Sequence, residues 1–262
     1  MDWSKIKTIF ILTFLILDVY LLYQFLSITD TNKYEFITEA STEDKLKADE
    51  IKYVDMPKVP LKDQYISAKT KTFKQADTEK LEGQTVTLLE EDKEIYSKFK
   101  NPLQLPDKIQ PSDVDAFLKD NILYPEHYQF GKLDRDKREI IYYQVFEGRP
   151  FYENDSAMVK LTFNDKNQII SYEQTYLESI EKMKHKEEIQ QALEAMETLH
   201  KQGLLKAKSK VTKVELGYST LIPLAASQVM APTWHFVVDD KKSLYVNGFE
   251  GQVIDLTAKK KM

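Results

Sequence analysis

The apolar positions of this chain are concentrated in one run close to the N-terminus. The run extends over residues 6–28 and contains the stretch FILTFLILDVYLLYQFL, which begins at Phe10. About 20 predominantly apolar residues are enough for a helix to cross the roughly 30 Å hydrocarbon core of a bilayer. The sequence therefore predicts a transmembrane helix at residues 6–28, preceded by a short N-terminal segment, residues 1–5.

Two other kinds of segment begin in a similar way, a secretory signal peptide and a buried helix of a soluble protein. A signal peptide has a shorter apolar core and small residues at its cleavage site, whereas residues 24–30 contain no such pattern. A buried helix of a small globular domain usually keeps one polar face, and this run is apolar on all faces. The pattern favours an uncleaved anchor.

The flanking charges predict the orientation of the anchor. Lys5 and Lys7 precede the apolar run, and short basic segments stay on the cytoplasmic side of a membrane. We therefore expect a single-pass protein of the cell membrane, with its N-terminus in the cytoplasm and its C-terminal domain outside the cell. The absence of cysteine fits an extracytoplasmic domain that uses no disulfides.

One acidic residue, Asp18, interrupts the apolar run. An ionised carboxylate at the bilayer centre costs at least about 2.5 kcal/mol, so such residues often mark a contact with a partner helix. Thr13, Tyr20 and Gln24 add further polar atoms to the same segment. These four residues are candidates for a partner contact within the membrane. The alternative is that Asp18 is a tolerated polar residue that becomes protonated.

The chain after the anchor is polar and divides by its pattern into three parts. Residues 29–110 predict a membrane-proximal α+β subdomain, in which Ser41 caps the start of a helix and strands lie at 65–73 and 84–90. Three X-Pro pairs within residues 101–111 interrupt regular structure. We place a boundary there.

The second part, residues 111–180, predicts one helix followed by four strands. The apolar positions at 112–123 follow a helical period, and Ser112 is a suitable N-cap residue. The turn residues at 164–167, NDKN, predict a hairpin. The expected strands are 128–134, 140–147, 156–163 and 168–176.

The third part, residues 181–262, repeats this order. A helix is expected at 186–201, with an apolar stripe toward a sheet and Gly203 at its C-terminal end. The expected strands are 208–219, 233–239, 243–247 and 252–257. The fold class predicted from these patterns is α+β, with tandem subdomains that each place a helix on an antiparallel sheet.

Composition and motifs exclude several classes of function. The net charge is −5, and without a basic patch beyond Lys259–Lys261 the chain is not expected to bind nucleic acid. No catalytic serine, phosphate-loop or metalloprotease motif occurs, and the four histidines lack metal-ligand spacing. We therefore identify no catalytic or metal-binding residues and expect no cofactor, although a pair of carboxylates that converges in a cleft, as in a glycosidase, leaves no motif in a sequence.

Two loops stand out in the C-terminal half. Residues 148–152, GRPFY, predict either a turn between strands or a binding loop. Residues 221–233 are less polar than a typical exposed loop and are expected to pack on a neighbouring subdomain or bind a partner. The sequence alone does not assign either loop a role.

The N-terminal residues resemble those of a known family. The sequence MDWSKIKTIF at residues 1–10, with FLILD at 14–18 and LL at 21–22, is similar to the N-terminus of the YycI proteins of low-GC Gram-positive bacteria. The order of elements after the anchor resembles the YycH/YycI family, and its strand pairs resemble PepSY-like modules.

This resemblance implies a regulatory function without catalysis. Members of the family associate with a sensor histidine kinase, WalK, through transmembrane helices, and with the related YycH protein through their ectodomains. They tune signalling to the response regulator WalR, which controls cell-wall turnover, by activation in some bacteria and repression in others. The residues leave two alternatives open, an extracellular cell-wall ligand-binding domain and a cell-wall enzyme or its inhibitor.

Overall fold

The computed structural model describes residues 3–31, 41–223 and 227–256. The chain divides into two compact units, Met1–Ala48 and Asp49–Met262. The lysines at 259–261 lie outside the described residues, and so do residues 224–226 of the predicted loop 221–233.

The described residues of the first unit form two helices, α1 (Trp3–Thr31) and α2 (Thr42–Ala48). The predicted cap of α2 is confirmed, because Ser41 Oγ accepts a hydrogen bond from the Asp44 amide at 3.2 Å. The predicted membrane segment is helical and lies within α1. Over the described residues, however, no helix reaches both the length and the apolar character that a membrane span requires, so the predicted crossing at residues 6–28 is not supported.

The second unit contains sixteen strands, three α-helices and one 3₁₀ turn in its described part. The strands are β1 (Lys52–Tyr53), β2 (Lys62–Asp63), β3 (Ile66–Thr70), β4 (Gln84–Leu89), β5 (Glu94–Gln104), β6 (Tyr128–Asp134), β7 (Glu139–Phe146), β8 (Arg149–Pro150), β9 (Met158–Phe163), β10 (Gln168–Gln174), β11 (Leu177–Lys182), β12 (Glu187–Glu188), β13 (Lys210–Pro223), β14 (Gln228–Val238), β15 (Lys242–Asn247) and β16 (Val253–Ile254). The helices are α3 (Gln75–Thr78), α4 (Pro111–Asn121) and α5 (Ala192–Lys201), and the 3₁₀ turn is Pro125–His127.

These strands form two large sheets and one small one. The first sheet has the order β4-β5-β10-β9-β7-β6, with β8 beside β7, and all its pairings are antiparallel. The second sheet has the order β1-β13-β14-β15-β16, with β3 joining β14 to β11, and its β1–β13 pairing is parallel. Strands β2 and β12 form the small sheet. The α+β fold class is confirmed.

The sheets do not follow the predicted subdivision of the chain. Strands β4 and β5, from the predicted segment 29–110, pair within the first sheet, whereas β3 from the same segment joins the second sheet. Strand β11, which was not predicted and spans the expected boundary at 180, also joins the second sheet through β3. Strand pairing therefore crosses both of the predicted boundaries, at 110 and at 180.

Helix α4 covers one face of the first sheet. Its buried side chains, Val114 and Leu118, belong to a core cluster with Phe99, Ile140 and Tyr172 from the strands. All five are at most 7% exposed, so the helix stripe and one sheet face exclude water together. This arrangement is the helix-on-sheet packing that the alternation of apolar positions predicted for this part.

The prediction that Ser112 caps α4 is wrong. The helix begins at Pro111, whose fixed φ suits the first helical position, and Gln110 is the N-cap residue. The Asp113 carboxylate accepts a hydrogen bond from the Gln110 amide at 2.7 Å, which satisfies one of the donors that a helix start leaves unpaired.

The predicted helix at 186–201 begins later than expected. Residues Glu187 and Glu188 form β12 against β2 instead, and α5 starts only after Gln191, whose amide donates to the Glu194 carboxylate at 3.0 Å. Strand pairing outweighs helix propensity at these two glutamates, because propensity contributes only tenths of a kcal/mol per residue. Gly203 ends the helix as predicted, with φ +69° and its amide bonded to the His200 carbonyl at 2.8 Å.

The two large sheets meet at a short contact that we call the intersheet seam, formed by Phe151, Tyr152, Gly217 and Tyr218. Phe151 pairs with Tyr218 in an isolated parallel bridge, and the Tyr152 amide donates to the Tyr218 carbonyl at 2.8 Å. A Cβ at Gly217 would lie less than 3.0 Å from the Pro150 carbonyl oxygen and the Tyr152 ring. The seam therefore requires glycine at position 217.

We predict that Gly217→Ala destabilises the protein by roughly 1–3 kcal/mol, because the added methyl group must displace backbone at the seam. Urea unfolding followed by circular dichroism measures the change. Lys210→Ala, at the exposed start of the same strand, serves as the control and should change stability by less than about 0.5 kcal/mol. Equal stability of Gly217→Ala and the wild type would contradict the importance of the seam.

We also predict that Asp113→Ala lowers stability by about 1 kcal/mol, because the Gln110 amide loses its acceptor and the helix start loses a favourable negative charge. Ser112→Ala, one residue earlier and equally exposed, should have little effect. Thermal unfolding of the two variants side by side makes the comparison. A larger loss for Ser112→Ala would restore Ser112 as the capping residue.

Candidate functional site

The first candidate site is the surface of α1 that the sequence predicted as a partner contact. Thr13, Asp18 and Tyr20 are exposed on this helix, while the side chains of Gln24 and Lys5 lie outside the described residues. Since each residue turns a helix by about 100°, Thr13 and Tyr20 share one face and Asp18 lies about 140° away from Thr13. The structure therefore does not bring the predicted contact residues onto one face.

Asp18 lies in a shallow apolar groove along α1. The groove is lined by Asp18 with Phe10, Ile11, Phe14 and Leu15. This placement follows from helix geometry, because a side chain leans toward the turn before its own Cα. The face offers a carboxylate surrounded by large apolar side chains.

The opposite face of α1, around Thr13, offers fewer polar groups to a partner. The Thr13 hydroxyl donates to the Ile9 carbonyl at 2.8 Å, within the helix itself, so its polarity is already satisfied. Near the start of the helix, Lys7 Nζ lies 4.8 Å from the centre of the Trp3 ring, a cation–π contact. Of the predicted residues that are described, Asp18 is the one most suited to contact a partner.

The distinctive loop at residues 148–152 is a turn between strands that leads into the seam. Glu147 and Gly148 have positive φ, +50° and +77°, as a tight hairpin turn between β7 and β8 requires. Arg149 forms an ion pair with Asp63 and donates to the Tyr218 hydroxyl at 3.3 Å. The loop thus ties the first sheet to strands β2 and β13.

The predicted loop at residues 221–233 is instead the end of a long hairpin. Strand β13 extends to Pro223, and β14 begins at Gln228. Residues 224–226 lie outside the described part of the chain. At the base of this tip, Asn154 Nδ2 donates to Gln228 Oε1 at 2.8 Å, and Gln228 Nε2 donates to Ser156 Oγ at 2.8 Å. The expectation that this region packs on a neighbouring part of the protein is met through these bonds.

A second candidate site lies beside the seam and was not predicted from the sequence. We call it the junction cluster, and its members come from both large sheets and the turn after β8. They are Lys132, Tyr143, Tyr152, Glu153, His235 and Tyr245. Because they are far apart in sequence and match no motif, only the folded chain reveals the group.

The acidic centre of the junction cluster is Glu153. Its side chain is 2% exposed and forms an ion pair with Lys132, and it accepts a hydrogen bond from the Tyr143 hydroxyl at 2.7 Å. Its backbone has φ +48°, which is uncommon for a residue other than glycine. Burial of an ionised carboxylate is costly unless it is paired and hydrogen-bonded, and here both conditions are met.

The aromatic part of the junction cluster surrounds His235. The imidazole stacks on Tyr245, with ring centres 4.7 Å apart, and lies 4.8 Å from the Tyr152 ring. Its Nε2 atom is 3.0 Å from Ser243 Oγ, while Nδ1 is buried without a hydrogen-bond partner. Such a site favours the neutral ring.

The electrostatics of the cluster follow from its burial. Desolvation, with a smaller contribution from the charge of Lys213, lowers the pKa of His235 to about 3, and Glu153 opposes the shift. Desolvation also raises the pKa of Tyr143, and Glu153 adds to that effect. The imidazole and the phenol are therefore both neutral at pH 7.

The other histidines are separate from this cluster. His200 Nε2 lies 2.6 Å from Asp49 Oδ2, and His127 Nδ1 lies 2.6 Å from the Tyr176 hydroxyl, while His185 is exposed. His200 is a packed, hydrogen-bonded residue, as its place on the helix stripe indicated. Within the part of the chain that the structure describes, no His, Asp and Glu side chains gather as a metal site would require.

Comparison with known families identifies the chain. Residues 31–249 match the family model described as YycI protein. The chain belongs to the YycI family. The residues that carried the resemblance most specifically, 1–22, precede the matched range, so two separate parts of the sequence indicate the same family. The predicted family is confirmed, and its known context is accessory regulation of a two-component system.

Three solved structures are similar to this YycI-family chain at low identity. An uncharacterized protein from Eubacterium rectale has 8% identity and a TM-score of 0.46, over 79% of this chain and 91% of that protein. YycH from Bacillus subtilis has 13% identity and a TM-score of 0.41, over 79% of this chain and 52% of that protein. The C-terminal domain of Bacillus megaterium YpeB has 14% identity and a TM-score of 0.39, over 61% and 69%. No curated protein matches the sequence significantly.

The shifted pKa of His235 leads to a prediction for stability. The folded protein keeps this ring neutral down to about pH 3, whereas the unfolded chain binds the proton below about pH 6.5. The stability that the neutral ring contributes is therefore fully present above pH 6.5 and is lost as the pH falls toward 3. Between pH 6.5 and 5 we expect His235 to account for a loss of about 1 kcal/mol per pH unit, because half of the unfolded chain still lacks the proton at pH 6.5.

Urea unfolding at pH 7, 6 and 5 tests this prediction. The His235→Phe variant cannot titrate, so its stability should fall less steeply with pH than that of the wild type. His185→Phe, which changes an exposed histidine, should keep the wild-type slope. If His235→Phe and the wild type lose stability equally between pH 6.5 and 5, the buried ring is not the source of the pH dependence.

Proposed function

We propose that this YycI-family chain is a non-catalytic accessory protein that modulates a WalK-like sensor histidine kinase and thereby cell-wall homeostasis. The observation that carries the proposal is the family match over residues 31–249. A regulator of this kind needs only to bind one state of the kinase better than the other. A difference of about 1–3 kcal/mol is the usual scale of such coupling.

The proposed location is the cell membrane, with the N-terminus in the cytoplasm and the folded unit outside. Support for it comes from the surface of α1, where large apolar side chains are exposed on every side, among them Phe10 (62%), Phe14 (59%) and Leu21 (54%). Exposed apolar area of this extent is unfavourable in water and marks a surface that another apolar phase covers. Lys7, before the apolar part, supports the orientation.

The proposed contact with the kinase is made by α1 through the groove around Asp18. A carboxylate within an apolar surface gains most from a partner that donates a hydrogen bond to it, because water is absent there. The large side chains beside it, Phe10, Phe14 and Leu15, supply packing area for a second helix. The folded unit would then associate with a YycH-like partner, as the family resemblance implies.

The test is co-purification of the kinase with the full-length chain from membranes. We expect Asp18→Leu to reduce the recovered kinase at least tenfold, and Asp18→Asn to reduce it less, because the amide keeps hydrogen-bonding capacity. Thr13→Val is the matched control on the opposite face, where the hydroxyl is bonded within the helix. All variants should appear in the membrane fraction in equal amounts.

A chain in which α1 is replaced by an unrelated apolar helix separates helix recognition from anchoring. If the kinase follows the native helix and not the replacement, α1 carries the recognition. Equal recovery of the kinase with both helices would refute the contact through α1. Loss of the kinase with every form, the native one included, would refute the accessory function itself.

A further inference from the structure

The junction cluster borders a cavity of about 490 Å³. One side of this junction cavity is formed by Lys132 and Glu153, and the other by β15, β16 and the residues that follow them. Cavities of several hundred cubic ångströms are of the size that small molecules occupy in proteins. All of its lining residues belong to the unit Asp49–Met262.

The inner surface of the junction cavity is apolar. Leu244 and Leu256 are buried, at 6% and 4% exposure, while Leu204, Val253 and Ile254 are half-buried and line the same space. An apolar recess of this kind stabilises a bound aliphatic group by removing it from water.

The residues that line the cavity carry a net positive charge, since three of them are lysines and two are acids. At its mouth, Lys241 is exposed in the turn between β14 and β15, Lys242 is exposed at the start of β15, and Asp255 is exposed as well. The Glu153 carboxylate adds no net charge, because Lys132 is paired with it. Asp239 and Asp240 are also exposed in this turn, and the Asp239 carboxylate accepts a hydrogen bond from the Lys210 amide at 2.8 Å.

Glu153, in the wall of the cavity, has two features that are found at functional sites. Glu153 combines a buried carboxylate, a positive φ of 48° and a place in the cavity wall. Backbone strain and buried charge both cost free energy, and each is found at functional sites. Tyr143 and Lys132 hold this carboxylate in place, so that the wall is fixed before any ligand binds.

From this geometry we infer that the junction cavity binds a small amphipathic anion, with its carboxylate or phosphate at Lys241 and Lys242 and its aliphatic part among Leu204, Ile254 and Leu256. Such a ligand matches the charge of the mouth and the apolar interior at the same time. It would contact both large sheets next to the seam. This activity goes beyond kinase modulation and does not depend on it.

Calorimetric titration of the full-length chain in phosphatidylcholine nanodiscs tests the inference, with empty nanodiscs as the blank. Octyl phosphate and octanoate represent the two possible head groups, and inorganic phosphate, octanol and octylamine test the head and the tail separately. We expect one or both of the anionic amphiphiles to bind at least tenfold more tightly than the other three. Whichever of the two binds more tightly identifies the preferred head group.

Three variants locate the binding. The double variant Lys241→Gln/Lys242→Gln should weaken the anionic amphiphiles at least tenfold, and Leu204→Trp, which fills the recess, should abolish their binding. Lys166→Gln, an exposed lysine in a hairpin turn of the other sheet, is the control and should bind as the wild type does. Urea unfolding confirms that each variant remains folded.

Three results would overturn the inference. The first is that octylamine or octanol binds as tightly as the anionic amphiphiles, because the lysines would then contribute nothing. The second is that inorganic phosphate binds with equal affinity, because the apolar recess would then contribute nothing. The third is that the wild type does not bind the anionic amphiphiles, or that the double variant binds them as tightly as the wild type does. These results are independent of the kinase co-purification, because that experiment tests α1 and the cavity contains no residue of α1.

Discussion

The architecture depends on how closely the two large sheets approach each other at Gly217. With no Cβ at this position, the Pro150 carbonyl and the Tyr152 ring lie directly against the backbone of β13. That approach allows the Tyr152 amide to bond to the Tyr218 carbonyl and buries Phe151 and Tyr218 almost completely. Protein interiors are packed too tightly to absorb an added methyl group at such a point. The absence of a side chain at Gly217 therefore allows the short distance between the sheets at the seam.

The junction cluster and its cavity are consequences of the same contact. The turn that leaves the seam places Glu153 between the sheets, where Lys132 and Tyr143 of the first sheet can reach its carboxylate. The rings of the second sheet pack on the other side, where His235 and Tyr245 contact each other and Tyr152. A binding recess at a sheet junction therefore arises without a motif, because the fold brings together residues that are far apart in sequence.

Much of the local structure could be read from the sequence. Alternation of apolar residues predicted β6 at its observed bounds, Tyr128–Asp134, and the NDKN turn at 164–167 joins β9 and β10 as expected. Periodicity could not show which strands share a sheet, since β3 pairs with β14 through backbone bonds that carry no sequence signature. Nor could it reveal the seam or the junction cluster, which depend on distances between chain segments. The opposed faces of Thr13 and Asp18, by contrast, follow from their spacing alone.

The pairing of early strands with late ones has a consequence for the order of folding. Ala68 in β3 pairs with Gln228 in β14, and Lys52 in β1 pairs with Lys210 in β13, so the second sheet cannot be assembled until nearly the whole chain is available. Contacts between distant segments carry a large loop-closure entropy and slow folding. During synthesis, β1 therefore remains without its partner until β13 emerges, and β3 can pair with β11 before β14 is available. A chain built in this way stays incompletely folded through most of its own translation, and the unpaired edges of its early strands are open to aggregation during that time.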